Sequence, residues 1–493
     1  MNKLNIFLVA LIMSMVALSC TKDFEEINTN NNAPVKVTPQ LLLPDIQRDM
    51  INQVLGESWG IGNIVIQHTA KNQFVNEDRY LWGEINGIWN TTYNKLRDIQ
   101  NIIIAAEETN DNGTKAVALI MRAWMFSLIT DAYGDIPYSE AIKAKEGIFY
   151  AKYDSQEAVY AGILADLKEA NQLLETTINI DRINLIYGDL IYGGNLNKWR
   201  KLANSLRVRY LVRISNKKSP AAELTEIINN ASANPLFAGN DDNATYTFKA
   251  ASPDQFPLFS ARSGSFNEFR ASKFMLDTLV SLSDPRLTIF YRATPKTEGT
   301  ATPVFIGLPN GLNDVDALTY AEGPDNQSRI SDIFYENAVS AQGLNIAKGV
   351  IMTYAELQFL LAEAVAKGWI TGQAATYYQA GINASFGFYG LTTPATYMDK
   401  GQVKLTGNTD EDLKKIGFQK WISFFYQGME AWFDWRRTKI PTLKPAISNQ
   451  NGGKIPVRFI YPIIEQGLNG PNRLEAVSRQ GGDDINTLMW HLK

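Results

Sequence analysis

Apolar residues along this chain recur mostly at steps of three and four. In TYAELQFLLAEAVAKGW, Tyr354, Leu357, Leu361 and Ala364 share one helical face. Thr353 with Glu356 three residues on matches a capping box, and Gly368 marks the stop. QAATYYQAGINASF then resumes a helical pattern after ITG, which predicts a helix–turn–helix of tetratricopeptide size. Similar faces run through KAVALIMRAWMFSLITDAYGD, NKWRKLANSLRVRYLVRIS and EDLKKIGFQKWISFFYQGMEAWFDWRR, the last predicting a helix over 419–438. Between these stretches lie segments rich in Gly, Pro, Asn and Ser. The longest covers 234–345, with only short helical pieces such as 272–281. Loops of that length in a compact protein are usually functional or disordered. The pattern therefore predicts an all-α fold: tetratricopeptide-like helix pairs as scaffold, carrying a large irregular, loop-rich cap. No composition shift marks a second domain, so 41–493 reads as one.

The N-terminus follows a different pattern. Lys3 supplies a positive start, and 6–18 is an apolar run of about 13 residues, short of the ~20 a spanning helix needs. It ends at Cys20, the only cysteine of the chain. Residues 1–19 read as a lipoprotein signal peptide and Cys20 as its lipidated first mature residue, although Leu18 stands where a smaller residue is usual. TKDFEEINTNNNAPVKVTPQ follows, charged and then rich in Asn, Pro and Thr, and reads as a tether over 20–40. No later stretch offers ~18 uninterrupted apolar residues. The mature chain is thus expected to be anchored to a membrane and not to span it.

Composition narrows the rest. With 493 residues, net charge −4, 45% hydrophobic and 11% aromatic residues, the profile is globular. The mildly acidic balance argues against nucleic acid, which needs clustered Lys and Arg. One cysteine leaves no internal disulfide, so the fold rests on its core.

Catalytic signatures are sparse. His68 and His491 are the only histidines, with no HExxH and no GxSxG beside either. GIGNIV around Gly60 and Gly62 lacks the third glycine of a phosphate loop. DNGT at Asp111 reads as a turn and lacks the ligand spacing of a calcium loop. Carboxylates are plentiful, so counting does not exclude a glycosidase pair, but nothing singles one out. The expectation is no enzyme, no cofactor and no metal.

Four stretches carry more information: DAYGDIPYSEA (131–141), NKWRKLANSLRVR (197–209), QKWISFFYQGMEAWFDWRRT (419–438) and IPVRFIYPIIEQGLN (455–469). With GGDDINTLMW ending at Trp490 and FEEINTNNNAP at 24–34, they resemble the SusD/RagB family of nutrient-binding outer-membrane lipoproteins across essentially the whole chain. The resemblance implies an all-α scaffold with an irregular half that bears the ligand site. It also implies a surface-exposed lid working with a TonB-dependent transporter barrel of the SusC type, and makes the acidic residues after Cys20 a surface-export signal. The motifs themselves read as architecture. In YGDIPY, Gly134 and Pro137 turn the chain while Asp135 caps or pairs. In MEAWFDWRR, Glu430 and Asp434 lie four apart, as do Trp432 and Arg436, which suits buried guanidinium–carboxylate pairs under Trp rings.

Sugars are held by exposed aromatic faces with polar groups bonding their hydroxyls, so loop aromatics are the candidates. AKNQFVNEDRYLWGEING offers Asn72, Phe74, Arg79, Tyr80 and Trp82; DQFPLFSARSGSFNEFRAS offers Phe259, Arg262, Phe266, Asn267 and Phe269. Tyr80 and Trp82 are expected to form a stacking surface, with Arg79 and Asn72 reaching the hydroxyls. The competing account packs these residues inward, with Trp82, Trp89 and Leu96 on one helical face. Three readings of function follow: a binding lid for oligosaccharides, the same lid for peptides, and, more distantly, a surface glycoside hydrolase. The aromatic loops favour sugar.

Overall fold

Each long apolar period becomes a helix whose ends are set by identifiable residues. The computed structural model describes residues 39–178, 188–249, 252–260, 263–334 and 347–493. Cys20, the apolar run before it and most of the segment read as a tether lie outside the described residues.

Helix α1 (Pro39–Glu57) runs into a π-helical turn, Ser58–Gly62. Helix α2 (Gly87–Thr109) stops at Asn110, whose φ of 55° closes it in the left-handed region. Asp111 immediately caps α3 (Asn112–Tyr133), its side chain accepting from Thr114 N at 3.0 Å. The DNGT turn is thus also a helix start. Helix α3 has the length and apolarity to cross a membrane, yet 94% of its most apolar window is buried. A helix apolar all round that packs between α2 and α4 (Gln156–Ile178) is a core helix. Helices α5 (Leu196–Arg213) and α6 (Ala221–Asn229) complete the first half.

The cap follows, with short elements only: α7 (Lys273–Ser281) and α8 (Asp314–Thr319) are its main helices after residue 234. The scaffold resumes with α9 (Tyr354–Ala366), α10 (Ala374–Phe388), α11 (Thr409–Ser423), α12 (Gly428–Thr438) and α13 (Gly470–Gln480). Consecutive helices pack as pairs: α2 on α3, α4 on α5, α9 on α10. The fold is all-α, as the periodicity predicts.

The strands are short: β1 (Thr69–Lys71), β2 (Ile136–Pro137), β3 (Tyr153–Asp154), β4 (Ala244–Thr247), β5 (Phe269–Ala271) and β6 (Lys348–Met352). They pair antiparallel as β1–β5, β2–β3 and β4–β6. The first and third pairings stitch the cap to the scaffold.

Two expectations are corrected. The helix over 419–438 is two helices, broken between Ser423 and Gly428, with Tyr426 at φ 67°. The cause is a backbone crossing: a Cβ on Gly428 would lie 2.2 Å from Asn63 N, and one on Gly62 would lie 2.4 Å from Gly428 C. Only glycine on both sides lets α12 approach that closely. The capping box of α9 is half formed. Thr353 Oγ1 accepts from Glu356 N at 3.1 Å, but the Glu356 carboxylate turns to Arg209, with both contacts at 2.5 Å.

Buried ion pairs then lock the helices. Arg213 pairs with Glu430, and the Arg436 guanidinium lies 4.6 Å from the ring centres of both Trp432 and Phe433. Gly134 takes φ 91° at the end of α3, and Asp135 accepts from Gln156 N (2.8 Å) and Arg479 Nε (2.5 Å). These motif residues are architecture.

Candidate functional site

The β1–β5 pairing, Lys71 opposite Phe269, brings the two aromatic stretches singled out in the sequence side by side. Most of their side chains, however, point inward. Tyr80 is 1% exposed and meets the edge of Trp82 at 6.2 Å. Trp82 is half-buried: its Nε1 donates to Glu77 O at 3.0 Å, and its ring meets Trp432 and Phe459 edge-on, each at 5.8 Å. Phe266 stacks on buried Trp59 at 5.0 Å, and Phe269 covers the same indole at 4.1 Å. Asn72 is buried, its Nδ2 donating to Gln327 Oε1 at 3.2 Å. Arg79 Nε donates to Ser448 O at 3.1 Å. Asn267 is half-buried. Arg262 and the Phe259 side chain lie outside the described residues. Tyr80 and Trp82 therefore do not form an open stacking surface. Trp89 and Leu96 are buried on α2, but Trp82 precedes that helix and packs from its own loop.

Phe74 is the exception, 68% exposed with φ 51°. A bulky residue in that region is strained, and the strain persists only where surrounding structure imposes it. In the same loop Asp78 accepts from Lys71 N at 3.0 Å and from Asn310 Nδ2 at 2.8 Å. Burial pushes the Asp78 carboxyl up to about 6, against these hydrogen bonds.

The same Asn310 floors a cleft of about 420 Å³ between the cap and the segment that follows α12. A cleft of this size at the junction of two substructures suits a small ligand. Phe274 on α7 forms one wall, its ring backed by buried Trp421 at 5.1 Å. Lys273 and Asp277, one helical turn apart and paired at 2.6 Å, line the rim above it. Ile447 (62% exposed) and Lys444 stand opposite. Gln67 shares the floor, its Nε2 donating to Lys444 O at 2.5 Å. An aromatic wall and an apolar side chain facing hydroxyl-binding charged groups can hold a sugar ring. The loop at 72–82 buttresses this cleft through Asp78 and Arg79 instead of lining it.

Sequence reasoning missed Phe274, Lys273 and Asp277 because they sit on a helix, where loop aromatics were not sought. The available signal was Phe274 at the border of the apolar face of α7, beside an i,i+4 charge pair. Neither histidine takes part. His68 is fully buried against Trp421 O at 3.1 Å, and burial lowers it to about 3. His491 is buried against Gln156 at 2.8 Å and lowered well below its usual range by burial and then by Arg436.

Helix pairs as scaffold, with a cleft between a cap helix and the segment after α12, make an all-α fold of the tetratricopeptide-bearing class. Residues 31–462 match the SusD-like family model described as starch-binding and associating with the outer membrane, and the chain belongs to that SusD/RagB family. A SusD homologue from Bacteroides fragilis is 30% identical, with a TM-score of 0.79 over 93% of this chain and all (100%) of its own. A chitin-binding protein is 27% identical, with a TM-score of 0.77 over 92% of this chain and 100% of its own. A chitin-binding SusD homologue from Flavobacterium johnsoniae, 24% identical, shares the fold at a TM-score of 0.77 over 92% of this chain and 98% of its own. No curated sequence matches the chain.

Proposed function

We propose that this chain is a non-enzymatic, cell-surface nutrient-binding lipoprotein. It captures oligosaccharides in the Phe274 cleft and delivers them to a TonB-dependent barrel in the outer membrane. The observation that carries the reading is the Phe274 wall facing Lys444 and Ile447, in a chain whose family is starch-binding and outer-membrane-associated. Two relatives described as chitin-binding make chito-oligosaccharides the first probe. In this reading 1–19 is removed on export, Cys20 carries the lipid, 20–40 is the tether and 41–493 is the binding domain.

Calorimetry with chitohexaose tests the cleft. Phe274→Ala is expected to weaken one class of sites by about tenfold or more, since an aromatic contact contributes roughly 0.5–1.5 kcal/mol beyond its buried area. Asp277→Ala, at an exposed position, is expected to weaken the same sites while stability stays within about ±0.5 kcal/mol. Binding of peptides in place of any oligosaccharide would overturn the sugar assignment.

The anchor has its own test. Stable attachment takes more than one acyl chain, each buried methylene adding ~0.8 kcal/mol. An exported Cys20→Ser variant is expected in the soluble fraction, without fatty-acid label. Equal membrane retention of that variant would remove Cys20 from the account.

A further inference from the structure

We propose that the groove along α2 is a second site, built for a neutral oligosaccharide. Its larger lobe, about 500 Å³, is lined by Asn90, Tyr93 and Asn94 of α2, by Phe149 and by Glu465. It shares no lining residue with the cleft at Phe274, so it stands or falls apart from that cleft.

Phe149 and Tyr150 are 75% and 70% exposed, on a backbone that is held in place. Asn472 Nδ2 donates to Tyr150 O at 3.0 Å, and Asn469 Nδ2 donates to Ala151 O at 2.7 Å. An aromatic lip is thus kept in water by fixed hydrogen bonds. Opposite it, Asn90 and Asn94 are exposed one helical turn apart, and neither side chain has a hydrogen-bond partner among the described residues. Tyr153 O–H donates to Glu465 Oε2 at 2.7 Å, which orients the carboxylate at the groove's edge. Amides both donate and accept, as sugar hydroxyls do, and a carboxylate accepts from a vicinal diol.

Ile142 separates this lobe from a second of about 290 Å³. Its φ of 62° is a conformation that β-branched residues scarcely adopt, and such strain gathers at ligand sites. Arg122 lines the second lobe but is committed to Asp166, with both contacts at 2.8 Å. That leaves Lys143 as the uncommitted cation among the residues lining this lobe, one charge and not a cluster, and two lobes suit more than one sugar ring.

The test is calorimetry of the full chain in detergent with chitohexaose, maltohexaose and cellohexaose. At least one of these is expected to bind the Phe274→Ala protein with a remaining class of sites. Phe149→Ala, and separately Asn90→Ala with Asn94→Ala, are expected to weaken those sites by about tenfold or more without moving the melting temperature. Wild-type binding in both variants, or no binding of any hexasaccharide to Phe274→Ala at millimolar concentration, overturns the second site. So does a Phe149→Ala protein that binds sugar normally but no longer co-purifies with a membrane protein. Losses confined to Phe274→Ala would keep the first cleft alone, and losses confined to Phe149→Ala the second alone.

Discussion

Glu363→Leu is expected to destabilise the fold by about 3–5 kcal/mol, the scale for stranding buried charge partners. Glu363 on α9 is 4% exposed and accepts from Arg437 of α12 at 2.5 and 2.7 Å. Lys420 of α11 lies 3.3 Å from the same carboxylate and 2.9 Å from Asp434. One carboxylate thus ties three helices together. Burial opposes its ionisation, but Arg437 and then Lys420 outweigh burial and hold it well below the usual carboxylate range.

Urea titration is the measurement: a lower midpoint with unchanged slope reports stability alone. Glu363→Leu combined with Arg437→Met leaves Lys420 paired with Asp434, so the double variant should lose less than the two single losses summed. Strict additivity would show that the ion pair contributes nothing of its own. A pH signature follows from the sign of the shift. A carboxyl depressed in the folded state contributes fully above its unfolded pKa, about 4.3, and loses that contribution as pH falls toward the folded value. Wild type should therefore lose more stability on acidification below about pH 4.3 than Glu363→Leu does.

Much of the architecture was legible because it is local. The Tyr354 face, the Thr353 cap and the Gly368 stop lie within one stretch, and α9 and α10 form where the period places them. The pairing of Arg436 with Trp432 was legible for the same reason, both being on one turn of α12. The break before Gly428 was not, since it answers to Gly62 and Asn63, far away in sequence. The site failed for a related reason. Loop aromatics carry no period that separates inward from outward, so Tyr80 and Phe266 read as exposed when Trp82 and Trp59 cover them. Phe274 was hidden by the opposite assumption, that an aromatic on a helix belongs to the core.

Trp432→Ala is expected to cost about 3–5 kcal/mol, a large share of the ~5–15 kcal/mol that holds a domain together. The indole is fully buried, and its Nε1 donates to Pro456 O at 3.0 Å. Phe459 lies 5.2 Å from it, Trp82 meets it edge-on, and Arg436 lies across its face. Truncation removes the packing of all three and strands the Pro456 carbonyl, so a cavity penalty adds to the lost transfer energy. Trp82→Ala removes only a half-buried ring from the same cluster and should cost less, with its Glu77 hydrogen bond the main polar loss. The order separates architecture from site. If Trp432→Ala folds with an unchanged urea midpoint but loses oligosaccharide binding, α12 moves from the scaffold into the ligand site. If the midpoint falls and the surviving folded fraction binds normally, the motif's aromatic residues hold the scaffold on which the Phe274 cleft is built.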